Sequence, residues 1–282
     1  MRSLPGVSAH DWNSELRMRY LQAGSGPPLL LLHGFMGYSF SWRHNLVPLS
    51  KIATVYAPDL PGTGYSDRVY DINTDLTVRA EHMLRFMDAM KMERADILGT
   101  SLGGALAVML AVLCEKKYPG RVRRLILVDP VNPWSPHGEQ ITRIGATALG
   151  TLALRLSFPA IKSMQRLFLT RMYGDRHRIS PGTLKGYTAP LDHPQTINYA
   201  INVVRSWHNN LQKLRTAYEQ LADVHTLLIW GDRDRAVFAK SAYEVQKRLR
   251  NSELVMMKGV GHLPYEEVPE QFNKTVTRFL NS

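Results

Sequence analysis

Short apolar runs recur along this chain, and between them the apolar positions fall at helical spacing. The runs are Leu29–Leu32, Thr54–Ala57, Ala95–Leu98, Leu125–Val128, Thr226–Trp230 and Leu254–Met257. A strand buried on both faces needs consecutive apolar residues, because alternate side chains point to opposite sides of the sheet. Leu76, Ala80, Met83, Leu84, Met87 and Met90 mark one face of a helix that Thr74 or Asp75 can cap. Near the end, Phe272, Val276, Phe279 and Leu280 repeat that pattern behind Pro269, a residue suited to a first helical turn. The alternation predicts an α/β fold, a mostly parallel, doubly wound sheet of about eight strands. Leu16–Gln22 reads as an antiparallel edge strand.

One region breaks the alternation. Between Pro130 and Asp223 no run has the character of a buried strand, and helical stretches such as Ile144–Ser157 and Thr196–Leu221 are separated by Pro181, Pro190 and Pro194. The expected organisation is a core of residues 1–130 and 223–282, with an all-helical cap, or lid, of residues 131–222 inserted in it. Lids exclude water and shape the substrate pocket. Leu149, Leu152, Leu154, Phe158, Ile161, Met164, Leu167 and Phe168 either line an apolar acyl pocket or form the cap's own core.

Composition adds boundaries. With 282 residues, 44% hydrophobic and 21% charged, the chain can bury a sizeable core. The formal net charge is +11, but the cations are spread along the chain without a dense basic tract interleaved with aromatics. A solvated basic surface is therefore expected rather than a nucleic-acid site. Cys114 is the single cysteine, so no intramolecular disulfide can form, and its apolar surroundings predict a buried thiol. Met1–Trp12 carries no signal-type apolar run, and Leu102–Cys114 is too short to span a bilayer. A cytoplasmic protein without stable membrane insertion is expected, as a monomer or homodimer.

The candidate chemistry centres on Gly99-Thr100-Ser101-Leu102-Gly103, which fits G-x-S-x-G between a strand and a helix. A tight turn there presents the serine hydroxyl, and the helix N-terminus behind it favours a developing negative charge. A serine needs a base. His262 follows the run Leu254–Met257 on a loop after Gly261, and it is the best placed of the ten histidines. The acid that orients it is expected just after Thr226–Trp230, at Asp234, with Asp232 as a turn residue. Asp129, at the end of another strand, is a competitor for that role. The amides of Leu102 and Phe35 are the candidate oxyanion donors, the latter presented by the turn at Gly34. No residue cluster has metal-ligand spacing and no nucleotide fingerprint occurs, so neither metal nor cofactor is expected.

These motifs together resemble the α/β-hydrolase superfamily. The resemblance rests on His33-Gly34-Phe35, Asp59–Ser66, Leu98–Gly104, Trp230–Asp234 and Gly261–Pro264, in that order. It implies Ser101 as nucleophile, His262 as base, Asp234 as its partner, and Phe35 and Leu102 as oxyanion donors. It also implies a loop-shaping role for His33. The residues flanking these motifs, His33, Gly34, Trp42, Thr100 and Leu263, are the candidate substrate contacts. Haloalkane dehalogenases and epoxide hydrolases of this fold carry aspartate where Ser101 stands, which disfavours both. Carbon–carbon hydrolases of ring-fission products share the serine triad but often place tryptophan where this chain has Leu263. Cofactor-free perhydrolases also share the triad. The expected activity is carboxylic-ester hydrolysis on a small ester with an apolar acyl group. A ligand-binding, receptor-like member of the fold is the alternative outside enzymes.

Overall fold

The computed structural model describes residues 4–135 and 139–282, and the side chains of all of these except 139–141, 161 and 162. Eight strands form one sheet: β1 (Val7–Trp12), β2 (Met18–Ala23), β3 (Pro28–Leu32), β4 (Thr54–Pro58), β5 (Ala95–Thr100), β6 (Val122–Val128), β7 (Thr226–Gly231) and β8 (Ser252–Met257). Their spatial order is β1-β2-β4-β3-β5-β6-β7-β8, with β2 antiparallel to both its neighbours, β1 and β4, and every other pair parallel. The expected α/β sheet is present, with one difference. The segment read as an edge strand is second from the edge, and β1 pairs outside it, Val7 opposite Ala23 through Trp12 opposite Met18. β1 is mostly exposed, so it carries no apolar run by which to find it.

The apolar runs are strands for the reason their pattern suggests. Leu30, Leu32, Ile97, Leu125, Leu127 and Leu228 face one half of the core. Leu29, Leu31, Leu98, Ile126, Val128, Leu227 and Ile229 face the other. Helices Leu76–Ala89 and Leu102–Lys117 cover the first face, and Pro269–Leu280 covers the second. Leu102–Lys117 is buried around most of its circumference, which explains why its sequence is apolar rather than amphipathic. Cys114 is fully buried there, and burial pushes its thiol up to about 11.

Between β6 and β7 the described residues contain helices and no strand: Glu139–Gly145, Ala148–Ser163, Gln165–Met172, Thr183–Thr188 and Thr196–Glu219, with short 3₁₀ turns. The long helix Thr196–Glu219 serves two neighbourhoods. Leu211, Leu214, Ala217 and Tyr218 join the core beside the sheet, while Gly145 nears its earlier part at Val204. The apolar residues expected in a pocket or a cap core divide differently. Leu154 and Phe158 are half-buried, whereas Leu149, Leu152, Met164, Leu167 and Phe168 are exposed; the Ile161 side chain lies outside the described set. The short helix Gln165–Met172 buries none of its residues. Helical spacing predicts a common face but does not say what lies against it.

Candidate active site

The site is assembled at the carboxyl ends of β5 to β8. Ser101 follows β5 and begins the helix behind it, with φ +53° and ψ −121°. Such a conformation is strained for a residue with a side chain, at roughly 1–3 kcal/mol, and persists only when the surroundings over-determine it. Here its N–H donates to the Val128 carbonyl at 2.9 Å, and its carbonyl accepts from Val131 and Ala105 at 3.0 and 3.1 Å. Two glycines make the turn possible. A Cβ on Gly103 would lie 2.3 Å from the Leu32 carbonyl oxygen, and one on Gly99 would lie 2.3 Å from that of Gly103. Only bare backbone lets the helix approach the sheet this closely.

Three residues past the end of β7, the Asp234 carboxylate is held from both sides. Its Oδ1 accepts from the amides of Ala236 and Val237 at 2.7 and 3.0 Å, and its Oδ2 lies 2.7 Å from His262 Nδ1. Both side chains are almost wholly buried. Because Nδ1 is taken, Nε2 is the ring nitrogen left to face a reacting group. Asp232 instead caps the neighbouring turn, its Oδ1 accepting from the Gly259 amide at 2.7 Å.

Asp129, the competing acid, stands beside this pair. Oxygens of Asp129 and Asp234 and a ring nitrogen of His262 all lie within 4.8 Å of one another. Asp129 Oδ1 accepts from the Gly231 amide at 3.0 Å, while its fully buried Oδ2 receives no donor. Burial, followed by the neighbouring Asp234 carboxylate, pushes the Asp129 carboxyl well above its usual range. Two carboxylates this close in a dry site hold one proton or one cation between them. Asp234 already accepts three hydrogen bonds, so Asp129 is the better proton carrier. Among the described residues this is the only cluster with metal-ligand proximity, and most of its oxygens are already engaged by protein donors.

The loop after β3 packs against the serine. A Cβ on Gly34 would come within 3.1 Å of the Ser101 Cβ. A turn closed by the Gly37 amide on the Gly34 carbonyl at 3.1 Å carries Phe35, whose ring is 43% exposed and stacks on Tyr199. Leu102 is buried at the first helical position. His33 is buried beneath, bonded to the Gly34 carbonyl and accepting from the Leu60 amide on Nε2 at 3.0 Å. Burial lowers its pKa to about 3, so it is a neutral strut of the loop. Asp59 holds the next loop from within, accepting from the Ser39 and Tyr65 amides at 2.7 and 2.8 Å.

Not every candidate contact faces the opening. Trp42 is wholly buried against Tyr265 in the core half opposite the long helices, which places it under the site as packing. Thr100 is also wholly buried, and Leu263 packs half-buried on that same core.

Two residues escaped the sequence reading. Glu266 and Glu267 are buried just beyond His262. Glu266 pairs with Arg43 at 2.8 Å and accepts from the hydroxyls of Tyr173, at 2.8 Å, and Tyr187. Glu267 accepts from the amides of Gly174, Asp175 and Gly261 at 2.9, 2.9 and 2.7 Å. The His262 amide itself donates to the Met172 carbonyl at 2.6 Å. The histidine loop is thus clamped to the inserted helices by carboxylates and backbone. The available signal was two adjacent acidic residues immediately after the apolar stretch Val260–Tyr265.

Comparison with known proteins identifies the family and the fold. A family model described as the alpha/beta hydrolase fold matches residues 27–269. A 2-hydroxymuconate semialdehyde hydrolase of Pseudomonas sp. is 26% identical over 270 residues, covering 94% of this chain and 90% of its own. A putative acyltransferase from Salmonella enterica superposes with a TM-score of 0.85 at 22% identity, covering 100% of this chain and 97% of its own. A bacterial membrane phospholipase A superposes with a TM-score of 0.77 at 25% identity, covering 98% of this chain and 86% of its own.

Proposed function

The chain belongs to the α/β-hydrolase family, and we propose that within it the protein hydrolyses carboxylic esters through an acyl-enzyme on Ser101. The observation that carries this reading is the buried 2.7 Å contact between Asp234 Oδ2 and His262 Nδ1, at the sheet end where Ser101 stands on its strained turn. A carboxylate there fixes the imidazole tautomer and stabilises the cation formed when the ring takes a proton.

In the proposed reaction Ser101 Oγ attacks the ester carbonyl and its proton passes to His262 Nε2. The amides of Leu102 and Phe35 donate to the oxyanion, helped by the helix N-terminus behind Ser101. Collapse of the tetrahedral intermediate expels the alcohol, which leaves with the proton from His262. A water then loses its proton to His262, attacks the acyl carbonyl and releases the acid, and the proton returns to Ser101. Asp129, protonated, donates to Asp234 and keeps that carboxylate in place. Gly34 clears space beside the serine, and the half-exposed Phe35 ring offers an apolar wall for the acyl group. The helices between β6 and β7 act as the cap over this opening, held to the histidine loop by Glu266 and Glu267. The substrate is a small molecule, and no metal or cofactor takes part in this scheme.

A second reading has a specific observation behind it. The named Pseudomonas relative is a hydrolase of 2-hydroxymuconate semialdehyde, whereas the named phospholipase among similar structures accords with ester chemistry. Both reactions need a serine, a base and an oxyanion hole, and Leu263 beside the histidine weighs toward the ester. A panel of p-nitrophenyl esters of rising acyl length, run beside 2-hydroxymuconate semialdehyde, separates them. Faster turnover of the esters is expected. Preferred turnover of the ring-fission product moves the assignment to carbon–carbon hydrolysis. A single product burst without turnover, or tight binding without hydrolysis, moves it to ligand binding.

A further inference from the structure

We infer that the inserted helices dock this protein onto an anionic lipid surface through the exposed apolar face of Ala148–Ser163 and Gln165–Met172. Leu149, Leu152 and Leu156 are 82%, 53% and 75% exposed at positions i, i+3 and i+7 of one helix, so they form a single stripe. Leu167 and Phe168 of the following helix are also exposed. Outside these two helices, the large aliphatic side chains found exposed among the described residues are Val69, Val78, Ile144 and Met164. An exposed leucine stripe of this kind marks an interaction site.

Charge chooses the partner. From Ile141 to Gly174 the sequence carries Arg143, Arg155, Lys162, Arg166 and Arg171 and no acidic residue. Arg143, Arg166 and Arg171 are exposed. A two-fold contact between copies would set this patch against itself, cation facing cation with no carboxylate from the segment to compensate. Nucleic acid would meet the cations and leave the leucine stripe without a partner. A lipid surface with anionic headgroups satisfies both parts, the leucines entering the acyl boundary and the cations meeting phosphates. No described helix is long and apolar enough to cross a membrane, so the contact lies in the interface plane. The docked helices end at Met172, whose carbonyl holds the His262 amide, so a lipid surface would lie close to the site opening.

The docking stands apart from the ester reading and is tested without catalysis. Ser101→Ala protein is sedimented with vesicles of phosphatidylglycerol and phosphatidylcholine, or of phosphatidylcholine alone, at low and high salt. The expected result is binding at least about tenfold stronger to the anionic vesicles, weakened by salt. Adding Leu149→Gln, Leu152→Gln and Leu156→Gln together is expected to weaken binding tenfold or more. Thermal melting is expected to be unchanged by those three substitutions. Arg166→Gln with Arg171→Gln is expected to cost about tenfold on the anionic vesicles and to flatten the salt dependence. Equal binding to the two vesicle types, or unchanged binding by the leucine variant, overturns the proposal. So does a dimer that the leucine variant splits while vesicles bind neither form, which would assign the face to a second copy.

Discussion

The carboxyl end of the sheet and the helical insertion solve opposite problems. At the sheet end every atom is confined: Ser101 sits at a positive φ, Gly103 touches the backbone of β3, and Asp234 accepts from two amides and lies against His262. In the insertion, long apolar side chains stand in solvent and a whole short helix has no fully buried residue. The difference teaches where substitution is tolerated. A preorganised polar site cannot move without losing function, whereas an exposed helix face contributes to recognition while adding little to the fold.

The largest effect that sharpens this contrast is expected at the nucleophile. Ser101→Ala should lower turnover of an activated ester by about 10⁴ or more, measured as kcat with folding checked by circular dichroism. Near-normal turnover would remove Ser101 from the reaction. Next come the two acids. Asp234→Asn should cost on the order of 10³–10⁴ in kcat, because the amide favours the wrong imidazole tautomer. Asp129→Asn should stay within about tenfold, since an amide also donates to Asp234. A reversed order would give the triad role to Asp129. The Asp129 carboxyl titrates higher in the folded state than in the unfolded chain, so its contribution to stability is present at low pH and lost as pH rises from about 4. The stability of Asp129→Asn relative to wild type should therefore grow with pH in urea titrations.

Gly103→Ala should destabilise by about 3 kcal/mol or prevent folding, since the added methyl meets two backbone carbonyls. Wild-type denaturation midpoints would dispute the close approach. His33 titrates lower when folded, at about 3, than its ordinary 6.5, so its contribution is complete above 6.5 and is lost as pH falls toward 3. Between pH 6.5 and 5 the loss should approach about 1.4 kcal/mol per pH unit. A flat profile there would mean that the imidazole is hydrated. The smallest effect belongs to the insertion: Leu156→Ser should shift stability by less than about 0.5 kcal/mol. A larger loss would show that the leucine stripe is packed rather than free.

Sequence alone was enough for the sheet order of chemistry: the apolar runs, the glycine spacing around Ser101, and a histidine and an aspartate on loops after successive strands. These are local signals, because a buried strand and a tight turn each restrict the residues that can occupy them. Tertiary structure decided what depends on neighbours far along the chain. Asp129 and Asp234 both follow strands, and only the turn after β7 brings Asp234 onto Nδ1 of His262. Glu266 and Glu267 belong to no motif, and only the folded chain surrounds them with the insertion's tyrosines and amides. Helical spacing put Leu149, Leu152 and Leu167 on common faces, but periodicity records only that a face is apolar. Whether core, substrate or a surface covers it is set by what the rest of the chain places there.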